Sequence, residues 1–247
     1  MKKLTLIMVT GLVLASNAVA MQPDWHDYTI ILSTVKQGEK HGIPLALVDY
    51  SALKKSGQLE KVYQQISAFP VESLSGKEEI LAFYINAYNI LALKMVLDHW
   101  PLESIKDAGS FFSPVWGKDA GVIDGKTVSL DDIENKIIRP MGEPRIHLAI
   151  VCASVSCPDL RSEPYTAELL YKQLDEQASV FLKNDKKGLY IVKDEIIVSK
   201  IFKWFSEDFD KLGGVGVFIR RYRTDLPLGY SITADIDYDW SVNGLYY

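Results

Sequence analysis

The stretch KEEILAFYINAYNILALKMVLDH, residues 77–99, decides how the rest of the chain is read. Apolar residues dominate it from Ile80 to Val96, interrupted by Asn86, Asn89 and Lys94. Ser75 is the expected N-cap, with Glu78 three residues on completing a capping box, and Pro101 closes the far end. The pattern predicts a core helix rather than a membrane span. Asn86 and Asn89, three apart, share one face of that helix, whose other positions are mostly apolar. A buried amide without partners costs about 1–3 kcal/mol. Each asparagine therefore either ties a neighbouring loop to the helix or lines a polar site, holding a substrate carbonyl or a histidine ring.

Working outward, the spacing of Trp25, Tyr28, Ile31, Leu32 and Val35 predicts a helix over 24–40, closed by His41-Gly42-Ile43-Pro44. Residues 51–68 read as a second helix ended by Pro70. On the other side, Asp124-Gly125 marks a hairpin within 119–130. A helix over 131–139 follows, with Ser129 as its cap. Residues 146–153 form an apolar run broken only by His147, which predicts a strand buried on both faces. Helices over 166–183, 201–212 and 214–223, a hairpin over 189–198 and an alternating strand over 230–242 complete the chain. The reading is α+β: one helix-rich domain over 21–247 with short strands and hairpins.

Residues 1–20 read as a cleavable export signal. Lys2 and Lys3 precede an apolar run from Leu4 to Leu14, and Ala18-Val19-Ala20 supplies the small-x-small cleavage pattern. That run is well short of the roughly 20 residues a membrane span needs. A periplasmic or secreted protein is expected, with no membrane insertion after cleavage. The formal charge of −5 includes Lys2 and Lys3, so it is −7 without those two lysines. An acidic chain whose one basic knot is Arg220, Arg221 and Arg223 argues against nucleic acid and anionic membrane surfaces.

The residues able to carry chemistry are few. His147 opens the expected strand, where a neutral imidazole is a general base or a core histidine held by the backbone. Arg145, two residues earlier, can neutralise an anionic group or pair with a carboxylate. Cys152 is five residues beyond His147, about 16 Å along a regular strand and on its opposite face, which works against a Cys152–His147 dyad. Cys157 precedes Pro158, a residue suited to the first helical position, so Cys157 is placed at a helix cap that lowers a thiol pKa. His26, His41 and His99 are alternative bases. The turn between Cys152 and Cys157 is also short enough for a disulfide, which an oxidising compartment favours. No zinc, nucleotide or serine-hydrolase motif is present, and no metal or cofactor is expected. Asp235, Asp237 and Asp239 alternate as the solvated side of a strand does, with a hard cation as the weaker reading. Asp239 and Asn243 are candidate orienters of a base.

Several motifs occur together in a fixed order: Phe83-Tyr84-Ile85-Asn86-Ala87-Tyr88-Asn89, Ser104-Ile105-Lys106-Asp107, Leu130-Asp131-Asp132-Ile133-Glu134, a long stretch from Arg145 to Pro158, Ile201-Phe202-Lys203-Trp204-Phe205, and Tyr238-Asp239-Trp240-Ser241-Val242-Asn243. In this the chain resembles the domain-of-unknown-function family numbered 547, over residues 74–243. The resemblance implies exported bacterial relatives and eukaryotic multidomain ones, and no chemistry. The order of a long buried helix, a histidine strand and a late Asp/Asn strand is similar to papain-like and transglutaminase-like enzymes, although the helix carries asparagines where those carry a nucleophile. Two functions follow as expectations. One is a thiol hydrolase or acyltransferase acting on amide or peptide bonds, with Cys157 as nucleophile, His147 as base and Asp239 or Asn243 as orienter. The other is a non-catalytic domain binding a peptide or small-molecule ligand, with a structural Cys152–Cys157 disulfide and a cleft lined by Asn86, Asn89 and Arg145. An exported thiol–disulfide component is weaker, because Cys-x-x-Cys is absent.

Overall fold

The computed structural model describes residues 23–110 and 113–245, and the proposed export signal at 1–20 lies outside them. Helix α1 is His26–Ser33 and stops well before Lys40. The chain turns instead into an antiparallel hairpin of β1 (Lys36–Lys40) and β2 (Ile43–Leu47). His41 and Gly42 have φ of 53° and 78°, the left-handed pair a tight hairpin turn requires. The same residues read as a helix stop because a helix C-terminus also uses left-handed backbone. The expected helix over 51–68 is two, α2 (Tyr50–Ser56) and α3 (Gln58–Ser67), divided at Gly57 with φ 67°.

Helix α4 (Gly76–Asp98) is the centre of the fold. It is long and apolar enough to cross a membrane by composition, but most of it is buried among other elements. The Ser75–Glu78 capping box does not form. Glu79 accepts from the Ser75 amide at 2.7 Å, and Glu78 accepts from the Tyr171 hydroxyl at 2.8 Å. The 119–130 hairpin forms as β3 (Asp119–Ile123) and β4 (Lys126–Ser129) around Asp124-Gly125. Ser129 and Asp132 then exchange hydrogen bonds, and a π-helical turn, Asp132–Ile138, replaces the expected α-helix. Its wider turn carries Asp131, Glu134 and Asn135 to one cavity wall.

The largest correction concerns residues 146–153. They form no strand: a 3-10 helix, Pro144–Leu148, is followed by irregular chain. Pro144 at the first turn and the Glu143 carboxylate accepting from the Arg145 amide favour a helical start. An unbroken apolar run records burial on all sides, which a short buried helix satisfies as well as a strand. With no strand, the opposite-face argument separating Cys152 from His147 falls. The histidine-strand order of papain-like enzymes is absent too.

Helix α5 (Leu170–Lys183) leads to a sheet of β5 (Leu189–Val192), β6 (Glu195–Ser199) and β7 (Ser231–Ile236). β6 pairs antiparallel with β5 and parallel with β7, and α6 (Ile201–Trp204), α7 (Ser206–Asp210) and α8 (Val215–Tyr222) make the crossover. The expected helix over 201–212 is thus broken at Phe205, and the strand over 230–242 ends at Ile236. Beyond it the chain makes single bridges, Ser241 to Ser104, Val242 to Ser154 and Gly244 to Val48. One apolar cluster surrounds α4, and a second joins α5 to β5, β6 and α6–α8. Ile146 and residues 149–151 belong to the first and Leu148 to the second, so this segment lies along the seam between them.

Candidate functional site

The asparagine face of α4 explains how chain without a strand ladder can be buried. Buried backbone N–H and C=O groups need partners. Asn89 supplies both, donating to the Ala149 carbonyl at 3.2 Å and accepting from the Val151 amide at 2.8 Å. Asn86 does the same for Tyr165, at 2.8 and 2.9 Å. The structure places both amides as ties to neighbouring loops, and neither lines the cavity described below.

Directly after the Asn89 tie, Ala153 adopts a left-handed backbone (φ 60°) and turns the chain back. Cys157 consequently returns to Cys152: the sulfurs lie 2.7 Å apart, and both cysteines are free. Pro158 starts no helix, so the expected cap at Cys157 does not exist. The turn is gripped from outside. The Val155 amide donates to Ser241 at 2.8 Å and the Ser156 amide to Asp239 at 3.1 Å. Lys187, 1% exposed, donates to the Cys157 carbonyl and to Asp159 Oδ1, both at 2.7 Å.

The two thiols differ. Burial by itself pushes the Cys152 thiol up. Hydrogen bonds from Cys157, from Ser154 Oγ at 3.0 Å and from Tyr238 at 3.4 Å outweigh it and bring the thiol down to about 7. Cys157 goes the other way. Burial and the neighbouring sulfur push it well above the usual range, despite the Cys152 amide donating to its sulfur at 2.8 Å. Burial also raises the Tyr238 hydroxyl, which therefore remains a donor. Cys152 is half-buried and Cys157 is 4% exposed.

His147 is held by a residue the sequence did not mark. Its Nε2 lies 2.9 Å from Asp208 Oδ2 in the middle of α7, and Arg139 Nε donates to the same oxygen at 2.7 Å. Burial raises the Asp208 pKa, but these two partners hold it down at about 2, so the carboxylate is charged. Its acceptor oxygen fixes the proton of a neutral imidazole on Nε2. His147 Nδ1 has no hydrogen-bond partner and faces Glu134 Oε1 at 3.5 Å. Phe205 stacks on the ring with centroids 3.8 Å apart.

The expected orienters lie elsewhere. Asp239 pairs with His41 Nδ1 at 2.6 Å, and Asn243 accepts from the Tyr50 hydroxyl at 2.8 Å. Arg145 is engaged by Glu143 at 2.6 Å and Asp175 at 2.7 Å and borders a separate groove. His99 bonds the Met95 carbonyl at 2.9 Å.

His147, Cys152 and Cys157 line one cavity of about 500 Å³. Its aromatic wall is Trp116, Trp204, Phe205, Tyr238 and Trp240, and its charged groups include Lys106, Asp131 and Glu134. Trp204 and Trp240 stack at 5.6 Å, and the Lys106 ammonium lies 3.7 Å from the Trp240 ring centre. Among the described residues, no group of three or more His, Cys, Asp or Glu is placed to hold a metal ion. Trp204, Tyr238 and Trp240 sit in the late motifs of the resemblance. Asp208 lies between those motifs, and no spacing in the chain connects it with a residue 61 positions earlier.

Residues 71–182 match the model of a family described as "Protein of unknown function, DUF547". The motifs at 201–205 and 238–243 lie beyond the matched residues. No curated protein and no solved structure matches the chain.

Proposed function

We propose that this chain, which belongs to the DUF547 family, is an exported thiol-dependent hydrolase or acyltransferase acting on amide or peptide bonds, with Cys152 rather than Cys157 as nucleophile. The observation that carries the proposal is the Cys152 sulfur, half-buried on the cavity wall and supplied with three hydrogen-bond donors. A thiol lowered to about 7 is about half ionised near neutral pH without a base in contact. Its sulfur attacks the substrate carbonyl carbon, the C–N bond breaks, and water or another acceptor later takes the acyl group. His147 Nδ1, left open by the Nε2–Asp208 bond, takes up the proton that the Cys152 thiol loses, directly or through solvent, and donates it to the departing amine. The aromatic wall receives an apolar portion of the peptide or small molecule. Export rests on residues 1–20, and an intact mass beginning at Met21 is the expected result.

Iodoacetamide labelling near neutral pH, mapped by peptide mass, tests the nucleophile. Reduced protein is expected to label first at Cys152, and Cys152→Ser is expected to lose hydrolysis across a panel of N-acyl anilides. First labelling at Cys157, or hydrolysis that survives Cys152→Ser, would count against the proposal. The 2.7 Å approach of the sulfurs supports a second reading, a non-catalytic binding domain braced by a disulfide. Under that reading, thiol counting without reductant finds no free thiol before or after denaturation.

A further inference from the structure

We infer that Cys152 and Cys157 form an exchangeable dithiol–disulfide couple that reacts with small disulfides of the glutathione type. It uses the same Cys152 as the acyl-transfer reading, but its chemistry needs no acyl substrate.

Three observations carry it. First, the sulfurs lie 2.7 Å apart, so one can attack a bond formed at the other without chain movement. Second, their exposure divides the work: Cys152 is half-buried and meets what enters the cavity, while Cys157, 4% exposed, stands at its side. Third, the turn is held without a bond between the sulfurs. Asn89 fixes the chain at 149 and 151, Ser154 bridges to Val242, and Lys187 grips the carbonyl of Cys157. Here the frame is complete, so opening and closing the bond leaves the fold in place.

The reaction balances as thiol–disulfide exchange. The Cys152 thiolate attacks one sulfur of R–S–S–R, forming a mixed disulfide and expelling R–S⁻, which takes up a proton. Cys157 then loses its proton to solvent and attacks the Cys152 sulfur, and the second R–S⁻ departs and is protonated. The two cysteines are oxidised and the small disulfide is reduced to two thiols. The first step also prepares the second. The neighbouring Cys152 sulfur helps hold the Cys157 thiol up, and its negative charge is gone in the mixed disulfide.

Reduced protein, kept native, would be equilibrated with glutathione and glutathione disulfide at stepped ratios, quenched with acid and weighed intact. The expected result is loss of two hydrogens in one transition between the most reducing and most oxidising buffers, reversed on returning to reducing buffer. Cys157→Ser and Cys157→Ala are each expected to stop at one glutathione adduct on Cys152, and Cys152→Ser to show no transition. Retention of both thiols at every ratio would overturn the inference, as would a disulfide that exchanges only after denaturation or an adduct forming first on Cys157. The acyl-transfer reading fails separately, if fully reduced protein shows no Cys152-dependent hydrolysis.

Discussion

At the scale of single residues, the Cys152 thiol is set by two donors of its own turn, Cys157 and Ser154, and by Tyr238 from the far end of the chain. Tyr238 and Ser154 each approach its sulfur, and a hydrogen bond to a charged group is worth about 1.5–3 kcal/mol. Alkylation rates plotted against pH are expected to rise with a midpoint near the value of about 7 to which the thiol is lowered. Tyr238→Phe and Ser154→Ala remove stabilisation of the anion, so each is expected to move that midpoint upward by about one unit. Asp208 makes a second prediction, on stability. Its folded pKa, lowered to about 2, lies below the ordinary value of 3.8. Its contribution is therefore fully present above about pH 4 and lost as pH falls towards 2. Asp208→Asn is expected to lower stability by about 2 kcal/mol at pH 7, with the difference closing by pH 2, read from urea midpoints across pH.

At the scale of elements, α4 does more than fill the core. Through Asn86 and Asn89 it supplies hydrogen bonds that strands would otherwise have given to residues 149–151 and 165. Asn86→Leu and Asn89→Leu each strand a buried N–H and C=O, and each is expected to cost roughly 1–3 kcal/mol in urea unfolding. Asn89→Leu carries a second effect: it frees the chain just before Cys152, so the preference of iodoacetamide for Cys152 over Cys157 is expected to weaken. The break between α2 and α3 isolates a different physical term. A Cβ built on Gly57 meets nothing within 4 Å, yet its φ is 67°. Gly57→Ala should therefore destabilise through backbone conformation alone, by about 1 kcal/mol, and an unchanged denaturation midpoint would refute that account.

At the scale of the molecule, the cavity spans more of the chain than the family match. His147, Cys152 and Cys157 fall within 71–182, whereas Asp208, Trp204, Tyr238 and Trp240 fall outside it. Leu148, Ala178, Phe181 and Leu182 are buried against β5, β6 and α6–α8. A fragment limited to 71–182 would expose that apolar surface and lack the base's anchor and most of the aromatic wall. It is expected to fail to fold, shown by the absence of near-ultraviolet circular dichroism and by loss of the selective thiol labelling of the full chain.

Features governed by neighbours along the chain are legible before any folding is known. The core helix at 77–99 is legible because its apolar content and stop signals are local. The Asp124-Gly125 hairpin is legible because a two-residue turn specifies its own backbone, and α+β follows from such elements taken together. Tertiary structure decided the form of residues 144–153, since an apolar run reports that a segment is buried and not what pairs with its amides. There the partner is a helix face carrying Asn89, some sixty residues earlier. It also decided the site. Cys152 rather than Cys157 carries the lower pKa because the folded turn aims the Cys157 and Ser154 donors at its sulfur, with Tyr238 added from the far end of the chain. Asp208 rather than Asp239 or Asn243 holds His147 because α7 packs against the 3-10 helix. A thiol's acidity and a histidine's tautomer are set by charges and donors within a few ångströms, and only the folded chain brings those residues together.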